Sequence, residues 1–356
     1  VFHAPYPHYY EFYSKFTGWN GFALEHMIFF FGGKFMFIFA FLFGYGCWMQ
    51  YEKYTSHQAF QQFWQRRMNL LALFGILHIL LLSVGDILLP YALLGMTLPW
   101  LLRWSNHSLI ILAIVIHAIP VYEFILRHFI EFPSIFTQSD YALADYIRIH
   151  QEGSLWEIFQ LRYYDYYAFQ TEKWIIYIPK EWSLFMLGIV ASRAKLIQQL
   201  SQSLAAKLLI PGLLVILFWY LFSGAVRGAF DLSEMPFMTL PLGIGILSIE
   251  FIHGAFYIIA ISYLYQHTPV QKILKPLVYA GRLSLTIYLM QSFICMLLFH
   301  SYGLGWYGSL HPIQLLGLAL LIYSLQVLFA YFWLQKHRYG PMEKLWRTYS
   351  YSKSTS

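Results

Sequence analysis

Of 356 residues, 59% are hydrophobic and 21% aromatic; only 11% are charged, and the mean hydropathy is +0.52. Soluble domains carry roughly 25% charged residues, so the composition excludes a water-soluble globular enzyme. Apolar stretches of about 20 residues recur, long enough to cross a hydrocarbon core, and predict an all-α, polytopic membrane helix bundle. The net charge of +6 is scattered over short loops, which fits a positive-inside bias and no nucleic-acid partner.

Val1 opens the chain without a start Met or signal-like segment, so one further span is expected upstream. Nine spans are predicted, at about 27–49, 68–84, 87–102, 108–129, 175–192, 208–225, 240–265, 278–299 and 313–335. Residues 68–102 form one apolar block. As a single helix it would exceed about 50 Å against a core of about 30 Å. It must fold into a hairpin, and Gly85-Asp86 with Pro90 marks the turn at 84–90.

Placing the segment after the first span inside puts fourteen Lys and Arg in inner segments, among them Arg66, Arg67, Lys272, Lys275, Lys336, Arg338, Lys344, Arg347 and Lys353. The outer segments then hold seven, including Arg127, Lys173, Lys180 and Arg227. That bias orients the chain. Residues 1–26 are an outer segment, 27–130 a four-helix membrane half, 131–174 an outer interfacial loop, 175–335 a five-helix half and 336–356 a cytoplasmic tail. Asp86 is expected at the outer rim, in reach of water. Within the long loop, which carries Asp140 and Asp165, "GSLWEIFQLRYYDYYAF" has the spacing of a helix lying along the interface. A surface connector is the expectation, with a lid over an outer cavity as the alternative.

Ionisable groups inside spans are costly and turn toward the bundle interior, so they are the candidate site residues. His78 is expected near mid-span and Lys34, among phenylalanines, near the outer face, where it pairs with Asp86. Glu250, His253 and Tyr257 share one helix face, which suits either a satisfied pair that fixes helix packing or acid–base work and a proton relay. Ser284, Tyr288 and Gln291 form a second polar stripe, and Arg282 is placed to pair with Glu250 or to grip a phosphate or carboxylate. His117 reads as core packing. Cys47 and Cys295 lie in apolar segments without CxxC spacing and read as buried, unpaired thiols. No GxSxG, P-loop or HExxH is present, and no metal site is expected. Gly32, Gly33, Gly44 and Gly46 permit close helix approach.

"GKFMFIFAFLFGYG", "RRMNLLALFGILHILLLSVGDILLPYALLG", "GRLSLTIYLMQSF" and "YGPMEKLWRTYSY" follow one another as in YeiB-like bacterial membrane proteins, the domain of unknown function 418, which the chain resembles from about residue 20 to 351. That family is similar in turn to the transmembrane acyltransferase superfamily. The resemblance implies a multi-pass protein of the bacterial plasma membrane. It would move an acyl group, with acyl-CoA as a donor, onto a small-molecule or lipid-linked cell-envelope acceptor, among membrane lipids. His78, Asp86, Glu250 and His253 would be the catalytic groups, and Lys34, Arg282, Ser284, Tyr288 and Gln291 the binding groups. A proton-coupled transporter, a lipid- or quinone-binding protein and an accessory membrane subunit are the alternatives. "YSKFTGWNGFALEHMIFFF" is similar to the first luminal loop of heparan acetyltransferases, with Phe16 where those enzymes carry a His. His26, His3 and His8 are the substitutes nearby.

Overall fold

The computed structural model describes residues 9–129, 141–172, 177–200, 202–229 and 236–351. His3, His8, Asp140, Lys173 and Lys353 lie outside them, as do parts of the predicted 1–26, 131–174 and 336–356 segments. The regular elements described are helices: α1 (Tyr9–Ser14), α2 (Gly18–Phe31), α3 (Lys34–Tyr51), α4 (His57–Leu81), α5 (Leu88–Leu101), α6 (Asn106–Phe129), α7 (Leu143–Glu152) and α8 (Leu155–Glu172). They continue with α9 (Ile178–Arg193), α10 (Leu196–Gln199), α11 (Gln202–Ala229), α12 (Pro236–Leu264), α13 (Thr268–Arg282), α14 (Ser284–Phe299), α15 (Pro312–Lys336) and α16 (Pro341–Ser350).

Among the described residues, each of the nine predicted spans lies largely on helix, with 82–84 beyond the end of α4 and 175–176 outside the described residues. Among the described residues, Gly18–Tyr51, Gln202–Phe222 and Pro312–Lys336 are each long and apolar enough to cross a membrane. Leu88–Leu101, Asn106–Ile119 and Ile249–Leu264 are shorter apolar helices. The 278–299 segment is a correction: it is broken at Leu283, where α13 turns by 79° into α14. Pro276 and the Gly281–Arg282 stretch precede the bend, and α13, with Ile273, Leu277 and Val278 exposed, is amphipathic. The 27–49 segment is likewise interrupted, by Gly33 at φ 74° between α2 and α3. Only glycine adopts that left-handed conformation without strain.

The core joins α3, α4, α5, α6 and α9 around Phe60, Trp64, Met68, Leu98 and Phe185. Glycine sets the tightest crossing. A Cβ on Gly44 would overlap the Phe185 carbonyl, and one on Gly188 the Phe41 carbonyl, so α3 and α9 touch backbone to backbone. Gly46 faces open space and plays no such part. The α4–α5 hairpin is real, and Gly75 lies against the Leu89 backbone within it.

Three of the segments that carry the family resemblance meet, through Arg67, Leu285–Thr286 and α16, at the end of the bundle holding the C-terminal helix, the tail end. Glu343 on α16 accepts from the Leu285 and Thr286 N–H groups at 2.8 and 3.0 Å and from the Thr286 hydroxyl at 2.5 Å, capping α14. Arg67 lies 3.5 Å over the Trp346 ring, whose N–H donates to the Arg67 carbonyl at 2.7 Å. At the opposite, turn end, α7 and α8 pack on the 300–311 loop. Gln151 donates to the Tyr307 carbonyl at 2.7 Å, and Ser301 to the Gly153 carbonyl at 2.5 Å.

Candidate functional site

Asp86 decides the geometry of the turn end. Its Oδ2 accepts from the Leu89 N–H at 2.7 Å, so the carboxylate caps the start of α5 and sits against the positive end of that helix. Oδ1 lies 3.1 Å from Nδ1 of His78 on α4. On its other nitrogen, Nε2, His78 meets the Ser292 hydroxyl of α14 at 2.8 Å. Tyr288, one turn earlier on α14, stacks on the imidazole with ring centroids 4.9 Å apart. His78 is 2% exposed and Asp86 0%.

Two expectations are corrected here. Asp86 is not a rim residue in contact with water; the turn folds it back under α4, where capping α5 and facing His78 replace its hydration. His78 stands about 5 Å from the end of its helix rather than near mid-span, because α4 begins at His57 and ends three residues beyond His78.

When Nε2 accepts the Ser292 proton, the remaining imidazole proton is on Nδ1, toward Asp86, and a single neutral tautomer is selected. Serine, imidazole and carboxylate thus follow one another in the order of a catalytic triad, the last pair in contact at 3.1 Å but not aligned as a hydrogen bond. Sequence reasoning missed Ser292. The 284, 288, 291 stripe extends equally to 292 by helical spacing, and the fold chooses Ser292 to meet the histidine.

Over this cluster lies α8. Arg162 donates to the Leu81 carbonyl at 3.3 Å, to His300 at 3.0 Å and to the Tyr302 hydroxyl at 2.9 Å, joining α8 to the ends of α4 and α14. Burial, with the nearby Asp86 adding to it, raises the pKa of Tyr166. The helix predicted over "GSLWEIFQLRYYDYYAF" is present, exposing Trp156, Phe159, Tyr163 and Tyr167, and it is docked on the ends of α4 and α14. Its buried Asp165 accepts from the Tyr146 hydroxyl.

Within the same cap, His150 stacks on Tyr307 at 3.9 Å and bonds the Tyr146 carbonyl at 2.8 Å. Burial, aided by Arg162 and opposed by the Tyr146 carbonyl, lowers its pKa from 6.5 to about 4. Between those values the unfolded chain binds a proton that the folded cap refuses, so stability falls as the pH falls through this window. The full loss is on the order of 3 kcal/mol. Hydrogen exchange over 143–165, corrected for intrinsic rates, is expected to show protection at pH 7 that is largely gone near pH 4.5. Exchange that is independent of pH would reject the assignment.

The other predicted residues sit elsewhere. Glu250 pairs with Lys180 of α9 at 3.1 Å, not with Arg282 or His253. Lys34 does not reach Asp86. Buried at the start of α3, it donates to the Ile28 carbonyl at 3.3 Å and lies in the field of Glu250. Glu250 also fills the space beside Gly33, where a Cβ would come within 2.5 Å of its Oε1. Around this pair is a cavity of about 30 Å³, room for two or three waters. It is lined among others by Gly33, His117, Lys180, Glu181 and Glu250. His117, expected to be core packing, bonds the Ser183 hydroxyl at 2.9 Å.

His253 is buried between Phe29 and Tyr257, with no hydrogen-bond partner for either nitrogen among the described residues. Tyr91 stands between the two clusters, within electrostatic range of both Glu181 and Tyr288. Arg282 and Ser284 are exposed at the tail-end bend, where Arg282 donates to the Arg338 carbonyl at 3.2 Å. Gln291 is half-buried. His26 bonds the Phe22 carbonyl and the Tyr220 hydroxyl, and Phe16 packs edge-on against His311. Cys47 and Cys295 are free and buried, and no group of three or more metal-ligating side chains occurs among the described residues.

The family model described as "Protein of unknown function (DUF418)" matches residues 191–353. The Bacillus subtilis (strain 168) "Uncharacterized protein YxaH" is 29% identical over 346 residues, covering 92% of this chain and 82% of that protein. The Escherichia coli (strain K12) "Uncharacterized protein YeiB" is 37% identical over 76 residues, 21% of this chain and 19% of its own. A Bacillus acidopullulyticus protein, "Uncharacterized 39.9 kDa protein in amylase 3'region", is 34% identical over 103 residues, 28% of each. No solved structure matches. The family model over residues 191–353 and the similarity to YxaH and YeiB support a YeiB-like DUF418 family for this chain.

Proposed function

We propose that this chain is an integral-membrane acyltransferase. It moves an acyl group from a donor such as acyl-CoA to a hydroxyl on a lipid-linked or cell-envelope acceptor in the bacterial plasma membrane, with the turn end facing outward and the C-terminus in the cytoplasm. The observation that carries this reading is the buried His78, with Asp86 3.1 Å from one nitrogen and a hydroxyl bonded to the other. An imidazole so held takes a proton from an attacking hydroxyl and returns it to the leaving group. Burial strengthens the field of Asp86 on the imidazolium that forms. The docked α8 shields the reaction from water.

Arg282 and Ser284, exposed at the tail-end bend, are placed to meet the phosphates of a cytoplasmic donor, while Tyr288 and Gln291 lie along α14 toward His78. Glu250 and His253 carry no step in this reading. Purified protein in nanodiscs, given radiolabelled acetyl-CoA and an envelope lipid extract, is expected to label a lipid product. His78→Ala should slow labelling by about 10²–10⁴-fold. Equal labelling by wild type and His78→Ala would remove the histidine from the reaction.

A second reading, a proton-coupled transporter, draws on the Lys180–Glu250 pair beside the broken helix at Gly33. Uptake into proteoliposomes that needs a pH gradient and is abolished by Glu250→Gln would establish it in place of the first.

A further inference from the structure

We propose that Ser292 is a nucleophile, so that acyl transfer at this site passes through an acyl-serine. The proposal rests on the acyl-transfer reading above and sharpens it from a base acting alone to a two-step displacement.

A serine inside a helix ordinarily turns its hydroxyl back onto a carbonyl of the preceding turn. Ser324 does this with Leu320 at 2.7 Å, and Ser350 with Trp346 at 2.6 Å. Ser292 instead directs its hydroxyl to His78, 214 residues away in the chain, at 2.8 Å. The imidazole it meets has its second nitrogen 3.1 Å from a fully buried carboxylate, which is itself fixed by the Leu89 N–H. Hydroxyl, imidazole and carboxylate thus follow one another at contact distance, the order of groups that activates a serine once the imidazole N–H turns onto the carboxylate. Ser292 is only half-buried, and its neighbour Phe293 is 48% exposed on the outside of the bundle. An acyl chain lying among lipids therefore has access to this side of α14.

The chemistry closes without a further reactant. The Ser292 Oγ bonds to the carbonyl carbon of an acyl ester or thioester as its proton passes to His78 Nε2. The tetrahedral adduct collapses, the bond from the carbonyl carbon to the donor's sulfur or oxygen breaks, and the leaving group takes the proton from His78. An acceptor hydroxyl, or water, then attacks the acyl-serine and gives its proton to His78. The Ser292 oxygen departs and recovers that proton.

The shared chemistry of the donor is an activated acyl carbonyl, and two sources supply it: a CoA thioester and the ester of a membrane phospholipid. The test uses the full chain in nanodiscs and an alkyl fluorophosphonate, with the adduct located by peptide mass spectrometry. A stoichiometric adduct is expected on Ser292. It should be absent from Ser292→Ala and slowed about 10³-fold or more in His78→Ala, with both variants melting near wild type. In parallel, [¹⁴C]acetyl-CoA or phospholipid labelled in its acyl chain is quenched in acid within seconds, and the arm that leaves label on the protein identifies the donor. An adduct on Ser292 without transfer to any lipid acceptor supports the nucleophile and overturns the transferase reading in favour of a hydrolase. Transfer that persists in Ser292→Ala while still requiring His78 overturns the nucleophile and leaves the transferase. Absence of both adduct and transfer overturns both.

Discussion

Asp86→Asn is expected to reduce acyl transfer by about 10³–10⁴-fold while changing stability by no more than about 1 kcal/mol. The two effects separate because the carboxylate has two tasks on two oxygens. Oδ2 receives the Leu89 N–H at the start of α5, and an asparagine carbonyl accepts that bond almost as well. Oδ1 faces Nδ1 of His78. An amide nitrogen there would be a donor facing a donor. The imidazole would then carry its proton on Nε2, toward Ser292, and could no longer accept one from a hydroxyl. Nor would any charge remain to stabilise the imidazolium. Asp86→Ala, by contrast, should lower both activity and melting temperature, since the cap is lost as well. The measurement is a pair, turnover of labelled donor and thermal unfolding in the same nanodiscs. An Asn variant that retains turnover within threefold of wild type would mean that Asp86 serves the helix cap alone.

The helices were legible because hydrophobic periodicity and length are local properties. The hairpin at Gly85-Asp86 followed from arithmetic on 35 apolar residues, and α4 and α5 are indeed joined there. What could not be read was which polar groups meet. His78 and Asp86 are eight residues apart and both were singled out, yet their contact depends on the turn folding back beneath the helix end, which no periodicity encodes. Ser292, 214 residues on, is brought to His78 by the packing of α14 against α4. Lys34 meets the Ile28 carbonyl rather than Asp86, and Arg282 meets the Arg338 carbonyl, between α15 and α16, rather than Glu250. Glu250 went to Lys180 rather than Arg282 because α9, read only as an apolar span, begins with "IPKEW" facing α12. Glu343 belonged to a segment quoted for its resemblance. Its physical reason, the cap on α14, emerges only when the tail packs onto the bend.

The crossing of α3 and α9 should be the least tolerant place in the fold. Gly188→Val is expected to cost about 3 kcal/mol or more, and Gly44→Val a similar amount, read as loss of the folded fraction in a denaturant titration from nanodiscs. At each position the neighbour is a backbone carbonyl, of Phe41 and Phe185 respectively, which cannot rotate away as a side-chain terminus could. Relief requires the two helices to part along their length. The stacked Phe43–Phe185 rings, 4.7 Å apart, then lose contact, and dispersion energy falls steeply with such a gap. Because one substitution already separates the helices, the second has less left to disrupt. The double variant should therefore be less destabilised than the sum of the singles by about 1–3 kcal/mol. The same parting draws Lys180, at the start of α9, away from Glu250. Additive costs would mean that the two glycines relax independently and that the backbone contact does not set the helix separation. A Gly46→Val control, at a position where a Cβ meets nothing, should stay within about 1 kcal/mol of wild type, so that loss of glycine as such is distinguished from loss of the crossing.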